Sequence, residues 1–195
     1  MKIACLGWGS LVWDPGGLPV EEKCWHKDGP MASVEFTRKS KNGRMTLVIE
    51  PNATPVPLLW NIMTSSDLKL AEEALRVRED TLQSNIGTWL RGLPSPEAIP
   101  NLAQWANERE VDAVVWTALG PKFCALNDSP SIEQVVEYLG GLTGKTRTIA
   151  ERYIRCAPKQ IDTEYRRRII AVLGWDSRGL RGRVAGLLCP GDVRA

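Results

Sequence analysis

The stretch Lys2–Gly17, KIACLGWGSLVWDPGG, narrows the folding options of this chain more than any other. Lys2–Leu6 reads as a short buried strand. The residues behind it do not continue as a helix: glycines bracket Trp8, and Pro15-Gly16-Gly17 follows at once. A strand that runs into such a loop does not start a strand–helix–strand crossover, so a repeated parallel layout is disfavoured from the outset.

The rest of the chain agrees. Further strands are expected at Ala32–Arg38, Arg44–Glu50, Val56–Met63 and Asp112–Leu119, each rich in Val, Ile, Leu or Trp. Lys41-Asn42-Gly43 makes a hairpin turn between the second and third strands. Helices are expected at Ser66–Glu79, Pro96–Arg109, Ile132–Leu139, Thr146–Cys156 and Thr163–Leu173. Pro96 suits a first helical turn and Asp162 is placed to cap the last helix. Strands cluster early and helices interrupt them irregularly, which is an α+β pattern. One domain over residues 1–175 is expected, followed by a Gly/Arg-rich tail at 176–195 whose short apolar run, VAGLL, reads as an added edge strand.

Several function classes drop out on composition. A net charge of +2 in 195 residues argues against nucleic acid, and the Arg166-Arg167-Arg168 run reads as a solvated helix face. No stretch approaches the roughly 20 apolar residues that span a bilayer, and the first residues do not read as a secretory signal, so a cytoplasmic protein is expected. The five cysteines stand at 5, 24, 124, 156 and 189 without a CxxC pair, and reduced thiols are the plain expectation. His26 is the one histidine, which excludes a zinc site built on several histidines and any Ser-His-Asp triad that does not use His26. A dinucleotide loop is disfavoured because Val12 occupies the place of the third glycine and no helix follows. No Gly-Lys-Ser/Thr completes a phosphate loop.

Two elements carry candidate chemistry. The Gly7–Leu11 loop can turn backbone N–H groups toward a cleft and so hold a carboxylate or a developing oxyanion; the plain alternative is a tight turn with Trp8 and Trp13 packed in the core. On the helix SDLKLAEEALRVRED, Leu68, Leu75 and Glu79 share a narrow stripe, with Ala71 beside it and Val77 opposite. A carboxyl at Glu79, held against apolar surface, is expected to have its pKa raised toward neutrality, as a general base needs. Glu72 lies near the same face and competes for that role, and a simple ion pair of Glu79 with Arg76 or Arg78 remains the structural alternative.

Taken in order along the chain, these features resemble the γ-glutamylcyclotransferase superfamily, most closely its ChaC-like and AIG2-like branches. Trp8-Gly9-Ser10-Leu11-Val12-Trp13 is similar to the family's Tyr-Gly-Ser-Leu-x-Trp loop, and Arg78-Glu79 to the Arg-Glu that ends its catalytic helix. Val114–Thr117 resembles a late core strand, and Asp162–Tyr165 a late helix start. The likeness is good over residues 3–90 and loose over 110–170. Trp8 in place of tyrosine, Asp80–Gln83 in place of a Gly-rich turn, and an insertion near 94–110 depart from the pattern.

The resemblance implies a small, curved or barrel-like mixed β-sheet core with surrounding helices. It implies an enzyme of lyase or acyl-transferase type, as in glutathione metabolism, that releases 5-oxoproline from a small-molecule γ-glutamyl amide. Glu79 would be the catalytic acid/base, and Gly7, Trp8, Gly9, Ser10, Leu11 and Tyr165 would contact the substrate. No metal, nucleotide or other cofactor is called for, nor any nucleic-acid or membrane partner. The alternative is a module of the same shape that binds an amino-acid-like ligand without turning it over. The leaving amine and the oligomeric state are left open.

Overall fold

The structure, a computed structural model, describes residues 1–21, 24–125 and 128–176. The expected tail strand lies outside the described residues. Strands β1 (Ile3–Gly7), β5 (Leu59–Ile62), β6 (Ile86–Leu90) and β7 (Ala113–Thr117) form one sheet in the order β5-β1-β7-β6. Strands β2 (Met31–Lys39), β3 (Met45–Ile49) and β4 (Pro55–Pro57) form another, ordered β3-β2-β4. Among the described residues five α-helices accompany them: α1 (Leu68–Glu79), α2 (Leu102–Glu108), α3 (Ile132–Gly140), α4 (Gly144–Cys156) and α5 (Glu164–Leu173). The class is α+β, as expected. The barrel-like core is corrected: the described strands make two small sheets and not a closed barrel.

β1 is buried at every position because it sits inside its sheet, antiparallel to β5 and parallel to β7. α1 packs on β7 and β6 and presents Ala71 and Leu75 to the core. β2 carries a bulge between Glu35 and Arg38, so Val34, Glu35, Phe36 and Thr37 are buried in succession. The single strand expected at Val56–Met63 is two. Pro55 and Pro57 cannot donate to a ladder, and the chain changes sheets at the fully buried Leu58. Gln160 Nε2 donates to the carbonyls of Lys27, Pro57 and Leu58 there, adding to the backbone bonds that Leu58 exchanges with Gly29 and Pro30.

Other boundaries move for local reasons. α2 begins at Leu102, and Pro96 accepts from Ile99 in a preceding turn instead of starting the helix. Thr163, not Asp162, caps α5: its hydroxyl accepts from the Arg166 N–H, while Asp162 pairs with Arg167. Ser131 and Gln134 form a reciprocal capping box on α3.

The Arg166–Arg168 run is also corrected in part. Arg167 and Arg168 are exposed, but Arg166 is 6% exposed. Its guanidinium donates to the carbonyls of Ile154, Ala157, Pro158 and Ile161, the chain that leaves α4. A cation at a helix C-terminus meets carbonyls with no intrahelical partner and the negative end of the helix dipole. Arg166→Leu leaves these acceptors dry and unpaired, and we expect a loss of about 3 kcal/mol in urea unfolding. Arg166→Lys should recover only part of it, since one ammonium cannot span four carbonyls.

Candidate functional site

The Gly7–Leu11 loop lines a cleft of about 410 Å³, between the end of β1, the β2–β3 hairpin, the end of α1, and Tyr153 of α4. Gly7, Trp8, Gly9, Ser10, Leu11 and Glu79 all line it, so the structure brings together the two elements singled out from sequence. Tyr165 is elsewhere. Its hydroxyl donates to the Pro130 carbonyl, its N–H donates to Glu35, and it lines a second cavity beside Glu35 and Glu50.

The glycines of the loop have a reason the sequence does not display. A Cβ at Gly7 would lie 2.7 Å from the Trp25 ring, and one at Gly9 would lie 2.5 Å from the Tyr153 hydroxyl oxygen. Both residues therefore admit the protein's own aromatic side chains. Trp25 is accordingly buried in the core. Within the loop, Val12 N–H donates to the Gly9 carbonyl and Asp14 N–H to that of Ser10. The N–H groups of Gly9 and Leu11 have no acceptor among the described residues.

Tyr153 is the residue that sequence reasoning missed. Its oxygen accepts from Leu47 N–H at 3.4 Å and faces the Ser10 N–H. With its oxygen already accepting from the backbone, the phenol can turn its own proton toward the cleft. The Trp8 indole donates to the Leu47 carbonyl at 3.2 Å, so both peptide groups of Leu47 on edge strand β3 are taken by side chains. Trp8 thus serves as a buried strap, while Tyr153 supplies the phenol that the loop itself lacks. A tyrosine roughly 140 residues beyond the loop, amid GKTRTIAERYIRC, carries no local motif that could have marked it.

Glu79 continues the core face of α1, its side chain 19% exposed. The apolar surroundings expected for it are not what it meets. Arg78 Nη1 donates to Glu79 Oε1 at 2.5 Å, while Nη2 reaches the Asp14 carbonyl at 2.5 Å and Ser10 Oγ at 3.4 Å. The guanidinium thus ties the loop to the helix end and holds the carboxylate between them. The helix stops there because Asp80 adopts the left-handed conformation (φ 47°) and its N–H returns to Arg76 and Val77. Glu72 is occupied instead by Thr88 and Gln83, at 2.7 and 3.2 Å, and does not line the cleft.

Cys5 and His26 take no part in the cleft wall. Burial, reinforced by the negative charge of Glu79, pushes the Cys5 thiol up, so it is no thiolate nucleophile. His26 stacks on Trp60, ring centroids 4.5 Å apart. Among the described residues no group of three or more His, Cys, Asp or Glu side chains is placed to hold a metal ion. No described helix is long and apolar enough to cross a membrane. Comparison with family models, curated proteins and solved structures finds no match to this chain.

Gly9→Ala is expected to destabilise the protein by about 2 kcal/mol through overpacking. In a Tyr153→Phe background the same change should lose most of that penalty, because the clashing atom is gone; a double-mutant cycle in urea reads the coupling. Burial also pushes the Tyr153 phenol up to about 12. Its folded pKa exceeds the unfolded value near 10, so its contribution is present below pH 10 and is lost as pH rises toward 12. Urea midpoints should fall over that window, and less steeply in Tyr153→Phe.

Proposed function

We propose that the protein is a γ-glutamylcyclotransferase-like enzyme that cleaves a γ-glutamyl amide and releases 5-oxoproline with a free amine. The observation that carries this reading is the meeting of Glu79 and the Gly7–Leu11 loop in one cleft, tied by Arg78. A carboxylate, a loop with two uncommitted N–H groups and a phenol are what the reaction asks for.

The chemistry needs no nucleophile from the protein. The substrate's α-ammonium gives a proton to Glu79, and the resulting amine attacks the γ-carbonyl carbon. A ring C–N bond forms, and the tetrahedral oxyanion collapses as Glu79 gives its proton to the departing nitrogen and the old C–N bond breaks. The second proton of the ring nitrogen then passes by way of Glu79 to the released amine, which leaves as its ammonium. The N–H groups of Gly9 and Leu11 stabilise the oxyanion or hold the glutamyl carboxylate. Tyr153 closes the floor and donates from its neutral phenol. Arg78 restrains the Glu79 carboxylate against rotation, so one oxygen remains for the substrate. The largest contribution is orientation: a flexible glutamyl chain must be held folded for its ends to meet.

The test is 5-oxoproline release from glutathione, γ-glutamyl dipeptides and γ-glutamyl amines, with Glu79→Gln alongside the native chain. Turnover by the native protein should fall by about a hundredfold or more in Glu79→Gln with folding unchanged. Equal turnover in both would remove Glu79 from the mechanism. Ligand binding without turnover would favour the non-catalytic binding module, for which Trp8 in place of tyrosine is the supporting feature.

A further inference from the structure

The β2–β3 hairpin brings Arg38, Lys39, Lys41 and Arg44 to the cleft, and Lys122 joins them. Lys122 is held there because its N–H donates to the Thr37 carbonyl and its own carbonyl accepts from Lys39 N–H at 2.6 Å. The carboxylates lining the same cleft are Glu79 and Asp80. Glu79 is engaged by Arg78, and Asp80 pairs with Lys41 at 3.3 Å. Arg38, Lys39, Arg44 and Lys122 therefore have no carboxylate partner among the described residues.

Other contacts hold three of these cations in place without neutralising them. Arg38 Nη1 donates to the Gly120 carbonyl at 2.8 Å. Lys39 Nζ stands 4.5 Å from the centre of the Tyr138 ring, and the Arg44 guanidinium 4.8 Å from that of Tyr153. Arg44 Nε is buried with no acceptor among the described residues. Burial lowers the Arg38 pKa, and no acid offsets it. A concave wall of one sign focuses the field and concentrates counter-ions. A glutamyl α-carboxylate balances one of the four cations and leaves three.

We propose that Arg38, Lys39, Arg44 and Lys122 form a subsite for a group bearing two or more negative charges. Under the γ-glutamyl reading, on which this identification of the substrate rests, that group is the released amine: an acidic peptide or a phosphate-bearing amine. The subsite itself stands on the cations and needs no turnover.

Calorimetric titration of the full chain carrying Glu79→Gln tests it without hydrolysis of the ligand. The probes are γ-glutamyl-glutamyl-glutamate, the corresponding γ-glutamyl-glutaminyl-glutamine amide, which is uncharged beyond its glutamyl end, the γ-glutamyl amide of phosphoethanolamine, and citrate. At low salt the acidic tripeptide should bind about tenfold tighter than its uncharged counterpart, and added salt should erode that margin. Lys39→Gln with Lys122→Gln, both at exposed positions that do not threaten folding, should remove most of the preference while leaving affinity for the uncharged peptide in place. Tighter binding of the phosphoethanolamine amide than of the acidic tripeptide would assign phosphate as the anion, and the reverse would assign carboxylates. Equal affinity for charged and uncharged peptides, unmoved by the lysine changes, overturns the subsite and leaves the γ-glutamyl reading intact. Salt-sensitive citrate binding with no affinity for any γ-glutamyl ligand upholds the subsite and overturns that reading. Failure of all four probes to bind overturns both.

Discussion

The Tyr153 phenol is the joint on which the rest of the site depends. It belongs to α4, its ring packs edge-on against Trp13 and Phe36, and its oxygen touches both the Gly9 turn and the Leu47 N–H. One oxygen therefore holds a helix, an edge strand and the loop leaving the other sheet at fixed separations. Trp8 reinforces the joint from the loop side by donating to the same Leu47 peptide unit. A strand edge that would otherwise present unpaired backbone groups is covered by side chains. The same contacts close the floor of the cleft, so stability and site geometry here share their atoms.

Arg78 does for the other wall what Tyr153 does for the floor. It reaches the Ser10 hydroxyl and the Asp14 carbonyl on the loop and the Glu79 carboxylate on its own helix. The carboxylate is thus a fixed feature of the cleft and not a mobile side chain at a fraying helix end. Two glycines, two cross-links and one helix stop are enough to set a charged group opposite a set of backbone donors.

The places where sequence reasoning fell short share a cause. β6 was absent from the sequence-based expectation because IGTWL is short and carries a glycine, both weak signals for a strand. Its reason for being a strand lies in the partner: the Trp116 ring of β7 covers Gly87 so closely that a Cβ would meet it at 2.2 Å. The split at Leu58 depends on which sheet each half pairs with, and Val56 and Trp60 look alike to any local rule. Arg166 reads as one of three equivalent arginines until α4 ends beside it. In each case a long-range neighbour overrides the local pattern.

What the sequence determined by itself is the local grammar. The glycine–proline stretch after β1 ruled out a crossover helix, the 3.6-residue period placed Ala71, Leu75 and Glu79 on one side of α1, and the early clustering of strands set the α+β class. These depend on backbone sterics and on side-chain spacing within one element, which need no partner. Tertiary structure alone decided that Gly9 serves Tyr153, that Glu79 meets a guanidinium, that Tyr165 belongs to a different cavity, and that four cations share a cleft without a carboxylate partner among the described residues. Those outcomes depend on distances between residues far apart in the chain, and such distances are set by the packing of whole elements.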